Sequence, residues 1–318
     1  MKHLAYRLPF LLASCWLLSV LPISAQTGTE RGELNRELDR LNELISREKY
    51  KDALLLSDTL MARTVSLLGD NAPDTLFVRA LATRGRALFF NGKYDDAIAC
   101  HERCLPFNRR IFGEESVAVA RSLTNIGICH YEKKEPLPAI RFHQQALDIC
   151  LKQNDPWLPV MADCWSNLAN AQADNQQNDL ALKSYDEALR IRYHNEGQNG
   201  AGVARVYQNM AGCYIALNQL AEAVRWYEAA LLIYQQNKNE KPASQGDIWH
   251  NLGSCYLTMG DMEYALFCNE QALSWRKIAF TNDNHPKVLV SLRGLALVYQ
   301  RMGDEKRAAE YFDLVLEL

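Results

Sequence analysis

The sequence predicts an all-α solenoid, a right-handed superhelix of about seven helix-turn-helix repeats. Three observations carry that prediction. One alanine recurs every 42 residues, at Ala97, Ala139, Ala181, Ala223 and Ala265, with Ala308 one residue out of step. Twelve residues before each stands a small residue: Gly85, Gly127, Ala169, Ala211, Gly253 and Ala296. Eight residues after each stands a leucine: Leu105, Leu147, Leu189, Leu231, Leu273 and Leu316.

Each slot has a physical reason. A glycine or alanine on the first helix of a unit lets the second helix approach closely, and the anchor alanine faces it for the same reason. Large apolar residues on either side then form a stripe at helical spacing, such as Ile126, Leu168, Met210, Leu252 and Leu295, with Arg84 the exception in that slot. Turn signals separate the two helices: Asn91-Gly92-Lys93, Met259-Gly260-Asp261 and Met302-Gly303-Asp304. Glu135-Pro136-Leu137-Pro138 fits the same place, because proline is tolerated in a turn or a first helical turn. A weaker unit is anchored on Ala53, with Tyr50 in its turn, and reads as a capping repeat.

Asn91-Gly92-Lys93-Tyr94-Asp95-Asp96-Ala97-Ile98 and Gly260-Asp261-Met262-Glu263-Tyr264-Ala265-Leu266 resemble the turn of the tetratricopeptide repeat. Trp165, Tyr207 and Trp249 occupy the slot of that family's N-terminal tryptophan. The 42-residue period exceeds the usual repeat of about 34 and resembles the kinesin-light-chain type. Residues 111–120 and 284–288 look like its inter-repeat linkers. The resemblance covers residues 33–318 and implies a scaffold without catalytic chemistry, although the fold alone names no ligand.

The N-terminus reads differently. Lys2 and Arg7 precede an apolar run from Leu8 to Leu21 that ends in Ile23-Ser24-Ala25. That pattern predicts a cleaved signal peptide over residues 1–25 and a short disordered stretch over 26–32. The chain would then be exported, to the periplasm or the outside. Leu12-Ala13-Ser14-Cys15 offers a lipoprotein anchor as the minor alternative, and a buried N-terminal helix or an uncleaved anchor is another. No membrane span is expected after this segment, since no long charge-free apolar run follows it.

Composition narrows the partner. The net charge is −3 and no Lys/Arg-rich run stands out, which argues against nucleic acid, whose phosphates require a concentrated basic face. Nine cysteines suggest disulfides or metal, but the repeat places most of those beyond Cys15 in packing slots. Cys129, Cys213 and Cys255 share a slot that Ala87 and Ala171 fill elsewhere, and Cys104 lies where Ala146, Ala188, Ala230 and Ala272 lie. His101 and His143 share the second-helix slot of Tyr185, Tyr227 and Phe312, which favours packing over ligation. No metal-binding spacing, phosphate loop or nucleophile elbow is found, so neither metal nor cofactor is expected.

The candidate site is built on asparagine. Asn125, Asn167, Asn209 and Asn251 recur fourteen residues before their anchors, on first helices whose stacked copies would line a concave groove. A carboxamide donates and accepts, so it can bond the backbone of an extended peptide without demanding a sequence. Peptide-binding members of the resembled family use asparagine at this slot in that way. The competing reading is a consensus residue that stabilises the repeat itself.

Four residues earlier come Arg79, Arg121, Asp163, Arg205 and Asp247. Two readings stand: a self-neutralising ladder of ion pairs between adjacent first helices, or a mixed-charge groove that selects its ligand. Arg86 and Phe89, further along their first helix, would add a cation and an aromatic surface. The leading function is therefore binding of a peptide or protein segment. Self-association through the C-terminal repeat, which ends at Val315-Leu316-Glu317-Leu318, is the alternative. An enzyme built in the groove is the remote one, because Asp163 and Asp247 stand two repeats apart.

Overall fold

The computed structural model describes residues 23–70, 72–237, 242–280 and 282–317. Residues 1–22, which carry most of the expected signal peptide and the Cys15 motif, lie outside them. Among the described residues there are fourteen helices and no strand, and consecutive helices pack against one another as an α-solenoid. The chain divides into two compact units at Gly113.

The first unit holds α1 (Ile23–Ser46), α2 (Tyr50–Leu68), α3 (Thr75–Phe90) and α4 (Tyr94–Phe112). Helix α1 runs through residues 26–32, so the expected disordered stretch is helical. Arg31, within it, makes a two-pronged contact to Asp74 at 2.9 and 3.0 Å, and that hydrogen bond leads in holding the Asp74 carboxyl below its usual range.

The second unit holds five hairpins. They are α5 (Val117–Glu132) with α6 (Pro136–Leu151), α7 (Pro159–Asp174) with α8 (Asn178–Glu196), and α9 (Ala201–Ala216) with α10 (Leu220–Gln236). Then come α11 (Pro242–Met259) with α12 (Met262–Ala279), and α13 (Pro286–Met302) with α14 (Glu305–Glu317). Neighbouring first helices, α5 with α7 and α7 with α9, touch directly and more extensively than neighbouring second helices do. The first helices therefore form the inner row of this unit.

Every hairpin turns in the same way. Five residues before each anchor alanine the backbone is left-handed: Glu48, Gly92, Lys134, Gln176, Asn218, Gly260 and Gly303 all have φ between 58° and 87°. The next residue's N–H reaches back to the first helix, as in Lys93 N to Leu88 O at 3.0 Å and Gln177 N to Gln172 O at 2.8 Å. These bonds satisfy carbonyls that the helix end would otherwise leave open. Sequence inspection marks this seat only where glycine fills it. Asn218 tolerates the left-handed seat, whereas Glu48, Lys134 and Gln176 are held there at a cost of about 1–2 kcal/mol each.

The anchor alanines are buried, and the small slot before them has a more specific use than close helix approach. A Cβ added to Gly127 would lie 2.6 Å from the His143 ring, one added to Gly85 2.8 Å from His101, and one added to Gly253 2.4 Å from Asn269. The side chain four residues past the anchor thus lies on the small residue twelve before it. Where that residue is alanine, the partner is Tyr185, Tyr227 or Phe312.

This packing separates two glycines that look alike in the sequence. Gly127→Ala drives a methyl into the buried His143 ring and should cost about 1–3 kcal/mol. Gly212→Ala, with nothing within 4 Å of the new Cβ, should instead stabilise by about 1 kcal/mol through helix propensity. Urea unfolding of both variants measures the difference. Equal effects would mean that the histidine does not occupy the slot.

Candidate ligand-binding groove

Three adjoining clefts run along the inner row of the second unit. The first, about 340 Å³, is lined by Arg121, Thr124, Asn125, Pro159, Asp163 and Asn167, with Ile128 and Val160 beneath. A small one of about 130 Å³ shares Ile128 and Asn167 with it. The third, about 370 Å³, shares Tyr131 and Asn170 with the small one and continues past Asn209 to Asn251. All four periodic asparagines therefore face one continuous track along α5, α7, α9 and α11.

The four are not equivalent. At Tyr185, Tyr227 and Asn269 the side chain four past the anchor meets the asparagine slot of the following repeat. Asn209 stands against Tyr185 and donates to Asn170 Oδ1 at 2.9 Å, an oxygen that also accepts from the Tyr185 hydroxyl. Asn251 stands likewise against the Tyr227 hydroxyl. Both tyrosine hydroxyls are pushed up, chiefly by burial, so they stay protonated as donors. Asn125 and Asn167 make no side-chain hydrogen bond among the described residues and are half-exposed. Their amides are open to a ligand, whereas those of Asn209 and Asn251 are partly committed to the fold.

The ladder of ion pairs is not formed. Asp163 is paired with Arg192 at 2.8 Å, and Asp247 with Arg276 at 3.0 Å and with Lys287. Arg192 and Arg276 are 6% and 4% exposed, so each is a buried guanidinium that requires a carboxylate beside it. Each stands eleven residues past its anchor, where the Arg121 and Arg205 repeats carry Cys150 and Tyr234. Aspartate in the first-helix slot thus goes with arginine in this second slot, and arginine in the first goes with an uncharged residue. Reading only the first slot misses that rule; comparing both slots across the repeats exposes it.

Arg121 and Arg205 consequently have no ion-pair partner among the described residues, and both are exposed. Arg121 lines the first cleft, and Arg205 lies on the same inner row outside the cleft linings. Asp247 is likewise outside them. Arg86 and Phe89 belong to the first unit: Arg86 donates to Asn42 Oδ1 at 2.9 Å, and the Phe89 ring packs against Phe90 and Tyr94.

The eight cysteines among the described residues are all buried and free. Burial raises the Cys104 thiol to about 12 and those of Cys213 and Cys255 to about 11, which suits packing rather than nucleophilic chemistry, while the hydrogen bond between Cys150 and Cys164 holds the Cys150 thiol below its usual value. Among the described residues no group of three or more His, Cys, Asp or Glu could hold a metal ion, and no helix is long and apolar enough to cross a membrane.

Comparisons with known proteins agree with this geometry. The profile of the tetratricopeptide repeat matches residues 76–152, 160–236 and 244–318. Among solved structures, BtubC (BKLC) from P. vanneervenii is similar at 22% identity over 70% of this chain and 90% of its own, with a TM-score of 0.61. A putative kinesin light chain with nearly identical TPR-like repeats, from Podospora anserina, is similar at 22% identity over 64% and 96%, with a TM-score of 0.55. A Rap protein complexed with competence and sporulation factor matches at 17% identity over 90% and 87%, with a TM-score of 0.59. No curated protein matches the sequence.

The paired arginines make a graded prediction. Among the described residues Asp247 is the one carboxylate paired with Arg276, so Asp247→Ala should cost about 3–5 kcal/mol, because a buried charge is left uncompensated. Asp163→Ala leaves Glu196 on Arg192 at 2.7 Å and should cost no more than about 2 kcal/mol. Adding Arg276→Leu to Asp247→Ala should recover most of the loss in urea unfolding. No recovery would mean that the pair is not what the aspartate serves.

Proposed function

Because the chain belongs to the tetratricopeptide repeat family, we propose that it is a scaffold that holds an extended segment of another polypeptide along α5, α7, α9 and α11. The observation that carries this reading is the continuous track onto which Asn125, Asn167, Asn209 and Asn251 all face. Asn125 and Asn167 hold the ligand backbone, since their amides are open on the donor and the acceptor side.

Charge selects the ligand. Asp163 and Asp247 are neutralised by their own arginines, while Arg121 and Arg205 are not. The row therefore offers uncompensated positive charge at Arg121 and Arg205 and favours acidic side chains at those two places, while Glu132 and Asp174 disfavour them farther along the track. Such charge-assisted bonds contribute about 1.5–3 kcal/mol each where the geometry is good. The two row aspartates are each occupied by a guanidinium and so do not form a catalytic pair with one another.

The scaffold works after export, its leader being residues 1–25. The basic start, the apolar run and Ala25 support that, and the N-terminal sequence of the chain recovered from cells should then begin at Gln26. Recovery of a chain that starts at Met1 or at Cys15 would overturn it.

Panning a displayed random-peptide library on the mature chain tests the groove. The expected result is a consensus containing acidic residues. Binding of the matching synthetic peptide should weaken at least about tenfold in Asn125→Ala/Asn167→Ala and in Arg121→Ala, with thermal stability unchanged. Affinity should also fall with added salt. Failure to select any peptide rejects the reading. A dimer in sedimentation that Leu316→Glu dissolves would then move the function to assembly, since Leu316 is 83% exposed.

A further inference from the structure

The small cleft between the two larger ones differs from the rest of the track. Its volume is about 130 Å³, well above the roughly 30 Å³ that one water claims. Its lining is Ile128, Tyr131, Glu132, His143, Asn167 and Asn170. The His143 side chain is fully buried, and neither ring nitrogen has a hydrogen-bond partner. In the two following repeats a tyrosine occupies this slot, and its hydroxyl reaches the next asparagine or its neighbour. Histidine is shorter. It leaves the asparagine of the next repeat, Asn167, unbonded, with space where a hydroxyl would be.

The polar groups around that space are of both kinds. Burial holds the His143 imidazole down at about 4, so at neutral pH it presents one N–H donor and one lone pair. Asn167 offers a whole carboxamide. Asn170 Oδ1 already accepts from Tyr185 and Asn209, which leaves its NH₂ as a donor. Glu132 has no ion-pair partner among the described residues and can only accept.

We propose that this cleft is a specificity pocket for an uncharged ligand head that both donates and accepts, the side-chain carboxamide of asparagine or glutamine. A carboxylate would meet Glu132. An ammonium would be drawn to Glu132 but would leave the imidazole N–H and the Asn170 NH₂ facing a cation. An apolar group would leave the polar lining groups unpaired. The assignment rests on the groove reading for the ligand that carries the head, but its test does not.

The probe is acetamide, with acetate and methylammonium as charged counterparts, titrated into protein carrying ¹⁵N-labelled histidine. Acetamide should shift the two His143 ring nitrogens saturably and leave those of His101 unmoved. Asn167→Ala, which disturbs no hydrogen bond of the fold, should raise the half-saturating concentration at least about tenfold. In uniformly ¹⁵N-labelled protein, acetamide should also shift the Asn170 side-chain amide, and His143→Tyr should abolish that response. No shift with acetamide, or a response to either charged probe at lower concentration, overturns the proposal. A response to acetamide with no peptide selected by panning keeps the pocket and rejects the peptide reading; a selected peptide with no response does the reverse.

Discussion

The contact on which the second unit depends is made by the side chain four residues past each anchor alanine. On one side it lies on the small residue of its own first helix, as His143 lies on Gly127 and Asn269 on Gly253. On the other it meets the first helix of the next hairpin: Tyr185 at Asn209, Tyr227 at Asn251, Asn269 at Gly294. One residue thus closes its own hairpin and sets the seat of the next. The choices at the three positions are therefore coupled. A bulky ring needs at most alanine below it, and a histidine or asparagine pressed flat requires glycine.

The same contact forms the floor of the groove. Tyrosine carries a hydroxyl to the floor, ties the next asparagine to the fold and closes the space. Asn269 fills the position between two glycines and bonds its own Ala265 carbonyl at 2.8 Å, so no asparagine follows it. Histidine does neither. The open amides and the hollow floor coincide at α5 to α7 because the shortest ring of the series stands there. Arg121, unpaired because its repeat places Cys150 where others place arginine, adds its charge at the same place.

Much of this was legible in the sequence. The period, the anchors, the turns and the fold class follow from residue type at fixed spacing, because a repeat must bury the same face each time. Two errors were of different origin. The stretch over 26–32 reads as polar and unstructured, yet it is helical, with Arg31 held by an aspartate 43 residues away that no local pattern announces. The charged slot reads as a ladder along the first helices because neighbours in one slot are the obvious partners. A buried guanidinium on the second helix outcompetes them, since an exposed pair gains little and an unpaired buried charge costs much.

In a periodic chain, conservation of a slot from repeat to repeat mostly records packing, and selectivity has to come from departures. The four asparagines are uniform in sequence, and their uniformity alone cannot choose a ligand. What differs is what stands behind each one: a histidine behind Asn167, tyrosines behind Asn209 and Asn251. Each departure is small, one ring exchanged for another or one charge reversed with its partner. Because the residue past the anchor serves two hairpins at once, such an exchange cannot remain local. It changes the packing of one hairpin and the hydrogen bonding of the next, and at α5 to α7 it changes which polar groups reach the groove without a partner of their own.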